Sequence, residues 1–68
     1  MYNTEIRFLA GQFVERMNEM RTWLDSRHFE PSVFRYDHVA DGVVIHVEFA
    51  AEAEAVAFAG EFGGALVR

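Results

Sequence analysis

The sequence contains no cysteine, no lysine and only one proline among its 68 residues. The absence of cysteine excludes disulfide bonds, thiolate nucleophiles and cysteine-based zinc sites. A domain of this length buries only about 60% of the surface of its unfolded chain, so its stability is small. Without covalent cross-links, association with another chain is a reasonable way to gain core. We therefore expect a single domain, residues 1–68, that gains stability from a partner.

Positive charge is also scarce. Six arginines stand against eleven acidic residues, which gives a formal net charge of −5. Nucleic acids and anionic membranes are bound through basic surfaces, so neither is expected as a partner. No apolar run approaches about 18 residues, the length of a membrane span, and the amino-terminal segment lacks a signal-peptide pattern. We expect a soluble, cytoplasmic protein.

The segment Ser32–Ala50 carries the strongest local signal, two β-rich runs joined by Asp41-Gly42. Asp-Gly is favoured in type I′ turns because both central residues of such a turn have positive φ. A two-residue loop at this position fixes which residues of the hairpin face each other. The predicted pairs are Phe34 with Phe49, Tyr36 with Val47, His38 with Ile45, Ala40 with Val43, Arg35 with Glu48, Asp37 with His46 and Val39 with Val44.

This register sorts the hairpin into two faces. One face is apolar apart from His38, and we predict that it faces the core. The other carries two polar pairs of complementary charge and points to solvent or to a partner. The predicted inner residues are Phe34, Tyr36, Ala40, Val43, Ile45, Val47 and Phe49.

Two segments have helical periodicity. The first, Gln12–Arg27, must end before Pro31, because the residue preceding a proline is driven out of the helical conformation. The second is Ala51–Phe62, and Gly63-Gly64 supplies a left-handed stop after it. The predicted apolar stripes are Phe13, Met17, Met20 and Leu24 in the first helix, and Ala51, Ala55, Phe58 and Phe62 in the second.

The segment Tyr2–Phe8 fits two patterns. Its alternating apolar residues indicate a half-buried strand, whereas a helical reading joins Ile6 to the stripe of the first helix. Phe8 favours the strand, because on a helix it would lie exposed on the far side from the stripe. The short segment Ala65–Arg68 reads as an edge strand or a frayed end.

These elements predict an α+β fold, a two-layer sandwich in which an antiparallel sheet carries two helices on one face. The favoured order is βαββαβ, the ferredoxin-like layout, with Tyr2–Phe8 as a central strand. The alternative is αββα, in which a long first helix replaces the first strand. A two-stranded sheet alone is marginal, so that version needs a partner chain to complete the hairpin.

The three histidines raise the question of a metal site, but the register separates them. His38 and His46 lie on opposite faces of the hairpin, and His28 lies in the helix-to-strand connection, so they do not converge on one ion. Asp37 beside His46 resembles two members of a catalytic triad, yet no serine or threonine lies opposite. We predict no catalytic, cofactor-binding or metal-binding residue and no enzyme activity.

The outward face of the hairpin is the candidate interface. Apolar residues are interleaved there with charged ones, and the first hairpin strand has no lysine or internal proline to protect its edge. Trp23 falls off the helical stripe, and large aromatic residues are favoured interface anchors. The candidate interface residues are Trp23, Val33, Arg35, Asp37, Val39, Val44, His46 and Glu48.

From this surface we predict a small interaction or structural protein that acts as a homodimer. The alternative is a small-molecule-binding regulatory module with its site at a subunit interface, for a ligand that the sequence does not specify. The first predicts a self-complementary contact surface, and the second predicts a pocket with convergent polar groups.

Overall fold

The computed structural model describes residues 1–67, which form one antiparallel four-stranded sheet and two helices. The elements follow the order βαββαβ, and the strand order across the sheet is β2-β3-β1-β4. The predicted α+β two-layer arrangement is confirmed. The elements are β1 (Tyr2–Phe8), α1 (Phe13–Arg27), β2 (Val33–Val39), β3 (Gly42–Phe49), α2 (Glu52–Phe62) and β4 (Ala65–Val67), with a short 3₁₀ turn at Ala10–Gln12 before α1.

The amino-terminal segment is a strand, and the alternative αββα order is therefore wrong. β1 lies in the middle of the sheet and pairs with both β3 and β4. Thr4, Ile6 and Phe8 are buried in alternation, which is the pattern of a half-buried strand. The hydroxyl of Thr4 donates a hydrogen bond to the carbonyl of Val47 at 2.9 Å. β4 forms the predicted far edge, and Arg68, the last residue of that predicted segment, lies outside the described residues.

Both helices end where the sequence indicates. α1 ends at Arg27 and is capped by His28, which takes a left-handed conformation with φ 58°, and the amide of Phe29 donates a hydrogen bond to the carbonyl of Leu24 at 3.0 Å. α2 ends at Phe62 and is capped by Gly63, with φ 67°, and the amide of Gly64 donates a hydrogen bond to the carbonyl of Ala59 at 2.9 Å. Each amide satisfies a carbonyl that the last turn of the helix leaves free.

The hydrophobic core lies between the helices and one face of the sheet. Met20 and Leu24 of the predicted α1 stripe are buried, and Phe13 and Met17 pack at its margin. We call this side of the sheet the inner face and the opposite side the outer face. The buried core residues are Ile6, Phe8, Met20, Leu24, Val43, Ile45, Val47, Phe49, Ala55 and Phe58.

The predicted hairpin register is wrong by two residues. The loop consists of Ala40 and Asp41, so that Val39 faces Gly42 and Ala40 lies in the turn instead of on the inner face. The predicted pairing of Phe34 with Phe49 is replaced by Phe34 with Val47. The remaining observed pairs are Val33 with Glu48, Arg35 with His46, Tyr36 with Ile45, Asp37 with Val44 and His38 with Val43.

The reason lies in the role of Gly42. Among the described residues only His28 and Gly63 have positive φ, so Ala40 and Asp41 do not form the type I′ turn that the prediction assumed. Gly42 is the first residue of β3, and a Cβ there would collide with the backbone carbonyl oxygen of Phe8. The glycine thus allows a close approach of β3 to β1, and it also occupies the fourth turn position, which favours glycine in type I turns.

A shift of two residues leaves each strand residue of the hairpin on its predicted face, because side chains alternate with a period of two. The inner and outer faces are therefore those expected, although the individual partners differ. Tyr36 lies on the inner face but is 49% exposed, since β2 is at the edge of the sheet and is only partly covered by α1.

Candidate interaction surface

Seven of the eight candidate interface residues lie together on the outer face of β2 and β3. Four of them belong to β2 and three to β3, and no described helix packs on this face of the sheet. The residues of β2 are all exposed except Phe34, which is partly buried. The candidate residues on this surface are Val33, Arg35, Asp37, Val39, Val44, His46 and Glu48.

His46 is the polar centre of this face. It lies opposite Arg35 of β2 on one side and opposite Glu5 of β1 on the other. Its Nε2 is 3.6 Å from Oδ2 of Asp37, a diagonal neighbour in the observed register. The contact between Asp37 and His46 is therefore formed, but by a diagonal pair and not by directly facing residues. A contact of this length on an open surface stabilises the fold by at most about 1 kcal/mol.

Arg35 and Glu48 do not meet in the way that the sequence predicted. Glu48 lies opposite Val33 of β2 and Asn3 of β1, one row away from Arg35. Arg35 is exposed and faces His46. Within residues 1–67 its guanidinium makes no salt bridge with a carboxylate.

Val44 is the apolar residue at the middle of the outer face. It is only 4% exposed, although it points away from the helices. Its cross-strand neighbours are Asp37 on β2 and Arg7 on β1. Val33 and Val39, by contrast, lie exposed at the two ends of β2. Val44 is thus covered by its own chain, whereas the valines of the edge are not.

β1 contributes two charged residues that sequence reasoning did not include in the surface. Glu5 and Arg7 lie on the outer face, and the guanidinium of Arg7 approaches the carboxylate of Glu5 to 2.7 Å. The sequence contained the signal for them, since the alternation in Tyr2–Phe8 already placed both residues on the face of the strand away from Ile6 and Phe8. They were missed because the predicted surface was taken from the hairpin alone, although the favoured fold already placed Tyr2–Phe8 beside the second hairpin strand.

Trp23 lies in the other layer of the molecule, away from the outer face. Its ring packs edge-on against Phe29, Phe58 and Phe62 with centroid distances of 5.5–5.8 Å, and the guanidinium of Arg27 lies 5.0 Å from its ring centroid. The indole Nε1 is buried without a hydrogen-bond partner. Trp23 therefore joins α1 to α2 within the chain, and the structure does not bring it together with the other candidate residues.

The three histidines are held apart by the fold. His38 is on the inner face with its ring 5.7 Å from Tyr36 and 6.0 Å from Phe13, whereas His46 is on the outer face. His28 ends α1. Within residues 1–67, no three His, Asp or Glu side chains are grouped so as to hold a metal ion. These rings therefore act as separate surface and packing residues.

A shallow groove of about 320 Å³ lies beside the hairpin turn, where β1 leaves the sheet. Arg7 and Arg16 approach it from the sheet and from α1, and Val39 of β2 forms part of its wall. Both arginines already contact carboxylates of their own element, Glu5 and Glu19, so the groove carries little free positive charge. It adjoins the end of the exposed edge strand.

Neither helix of the described chain is long and apolar enough to cross a membrane. Comparison of the chain with protein-family models, with curated proteins and with solved structures returns no match. The function must therefore be inferred from the geometry of the surface itself.

Proposed function

We propose that this protein is a small interaction or structural module that acts as a homodimer through β2 and the adjoining outer face of its sheet. The observation that carries this proposal is the exposure of β2. It is a seven-residue strand at the edge of the sheet, and six of its residues are exposed. A long edge strand presents a row of unpaired backbone N–H and C=O groups, which a second strand can pair with.

The side chains of β2 support the same proposal. Edge strands are protected against pairing by charged side chains, above all lysine, by proline or by a bulge. β2 has no lysine, proline or bulge, it carries one charge of each sign at Arg35 and Asp37, and its exposed residues include Val33, Tyr36 and Val39. The opposite edge, β4, is only three residues long. The two edges thus differ, and β2 is the one suited to pairing.

The βαββαβ order and the strand order β2-β3-β1-β4 support a ferredoxin-like layout. This layout is shared by many unrelated functions, so it does not by itself identify an activity. It does define which strands are edges, and that bears directly on how two copies would associate.

Light scattering on the purified protein tests the proposal. We expect twice the chain mass at tens of micromolar. Val39→Lys places a charge on the exposed edge and should shift the protein toward monomer. Val67→Lys is the matched control, because Val67 is an outer-face valine of the other edge with similar exposure, 40% against 45% for Val39. The control should leave the mass unchanged.

A monomeric mass for the unmodified protein at these concentrations would refute the homodimer. If both lysine variants lose mass equally, the contact between the two copies does not lie specifically at β2. Circular dichroism of each variant shows whether the fold is retained, so that loss of association is not confused with unfolding.

The groove beside the hairpin turn favours a second candidate, a small-molecule-binding regulatory module. The groove reaches Val39, so a dimer formed through β2 would lie next to it and complete its wall. Its lining includes the guanidinium groups of Arg7 and Arg16, each beside a carboxylate of its own element, and these are the charged donors that a ligand would meet. Melting curves with a panel of small phosphates and carboxylates test this idea, with Arg16→Gln as the variant that should abolish any stabilisation. The absence of any shift across the panel would count against it.

A further inference from the structure

We infer that two copies of β2 pair antiparallel about a two-fold axis that passes beside Tyr36, an inference that rests on the homodimer proposed above. The sequence of β2 is Val-Phe-Arg-Tyr-Asp-His-Val, with Tyr36 at its centre. When this sequence is aligned with a reversed copy of itself, the facing residues are complementary. The facing pairs are Val33 with Val39 of the partner subunit, Phe34 with His38 of the partner subunit, Arg35 with Asp37 of the partner subunit, and Tyr36 with Tyr36 of the partner subunit.

The symmetry of the contact restricts the possible registers. A two-fold axis perpendicular to the sheet keeps the helices of both copies on the same side, so facing residues must belong to the same face. Arg35 and Asp37 are both on the outer face, and Tyr36 is on the inner face. The register centred on Tyr36 meets this condition and overlaps all seven residues of the strand.

The two neighbouring registers that satisfy the same symmetry are disfavoured by charge. Centring the pair on Arg35 places Arg35 against its own copy, and centring it on Asp37 places that carboxylate against its own copy. Like charges directly opposite each other on a sheet are destabilising, whereas opposite charges stabilise the pair. Of these three registers, the one centred on Tyr36 places Arg35 against Asp37 of the partner subunit. By symmetry this ion pair occurs twice in the dimer.

The side chains concerned are available for this contact. Arg35 and Asp37 are both exposed, and the interaction of Asp37 with His46 spans 3.6 Å at the surface. Val33, Tyr36 and Val39 are the exposed apolar residues of the strand, and each would be covered by the partner. β2 carries one arginine and one aspartate, so the contact strand is neutral within a chain of formal net charge −5. The facing strands therefore add no net charge repulsion of their own to the contact.

Charge reversal tests the register. Arg35→Asp alone places a carboxylate against Asp37 of the partner subunit, and Asp37→Arg alone places two guanidinium groups together. Each single variant should raise the dimer dissociation constant about 10-fold or more, because two attractive pairs become repulsive. The double variant R35D/D37R exchanges the charges and should recover most of the affinity. Arg7→Asp removes an exposed arginine of the same face that already pairs with a carboxylate, and it should leave the dimer unchanged.

Single cysteines give an independent measure, since the chain has none of its own. Facing residues of an antiparallel pair have Cβ atoms about 5 Å apart, which is within reach of a disulfide after small adjustment. Tyr36→Cys should therefore form a cross-linked dimer rapidly under mild oxidation. His38→Cys, on the same face, should not, because its copy lies four residues away along the strand, about 13 Å.

The outcomes separate this register from the homodimer itself. A dimer that the single reversals do not weaken, or that the double variant does not restore, overturns the register and leaves the homodimer standing. Faster cross-linking of His38→Cys than of Tyr36→Cys overturns it in the same way. A monomeric mass for the unmodified protein overturns both the register and the homodimer.

Discussion

Gly42 shows how a single residue links the hairpin to the rest of the sheet. Its Cα lies so near to the end of β1 that a Cβ would meet the backbone carbonyl of Phe8. Backbone atoms cannot swing aside as a flexible side chain can, so any larger residue requires β1 and β3 to separate. Gly60 provides a contrast, because it lies exposed in α2 with no atom within 4 Å of an added Cβ.

Alanine at these two glycines should act in opposite directions. Gly42→Ala should destabilise the protein by about 1–3 kcal/mol, the cost of forcing extra volume into a packed contact. Gly60→Ala should stabilise it by about 0.5–1 kcal/mol, because alanine restricts the unfolded chain and favours the helix. Urea denaturation at one protein concentration measures both. A neutral Gly42→Ala would show that β1 and β3 do not approach as closely as described.

Between elements, the depth of burial falls from the centre of the sheet to the β2 edge. Phe49 of β3 is fully buried and its ring lies 5.5 Å from that of Phe58 in α2. Phe34 of β2 is only partly buried. The sheet is thus anchored by β1 and β3, while β2 contributes less to the core and more to the surface. This division leaves the free edge of β2 exposed, as the proposed homodimer requires.

The two phenylalanines should reveal this difference in stability. Phe49→Ala should cost about 3–5 kcal/mol, as expected for loss of a buried ring with a cavity left behind. Phe34→Ala should cost about half of that or less, because part of its ring already contacts solvent. Urea unfolding curves for the pair, recorded at equal protein concentration, give the comparison. Equal losses would indicate that β2 is covered as fully as β3.

The elements and the central position of β1 were predictable from the sequence, whereas the register of the hairpin was not. Alternation in Tyr2–Phe8 predicted β1, and the glycines after Phe62 predicted the end of α2, because each signal is local. The predicted hairpin register was wrong because Gly42 is required by its close approach to the carbonyl of Phe8, a contact between residues 34 positions apart in the chain. The placement of Trp23 beside Phe58 and Phe62 likewise depends on how α1 and α2 pack. Faces follow from local periodicity, but facing partners follow from tertiary structure.

At the scale of the whole molecule, the two sheet edges are unequal in length, and this would limit the proposed assembly. Pairing of β2 with its own copy joins two four-stranded sheets into one continuous sheet of eight strands. The same surface is used on both sides, so the contact is closed by the two-fold axis. The edges that remain are both β4, which has only three residues. Short edge strands are poor templates for further pairing.

Assembly should therefore stop at two copies. Light scattering across roughly 10–1000 µM, a range chosen to span typical weak and tight self-association, should approach twice the chain mass of 7.8 kDa and then level off. Added salt should not dissociate the dimer strongly, because it screens the repulsion between two chains of net charge −5 as well as the surface ion pairs. A mass that continues to rise with concentration would show that β4 also pairs, either with a second β4 or head-to-tail with β2 of another copy. In that case Val67→Lys, which charges the β4 edge, should limit growth, whereas a closed dimer should be indifferent to it.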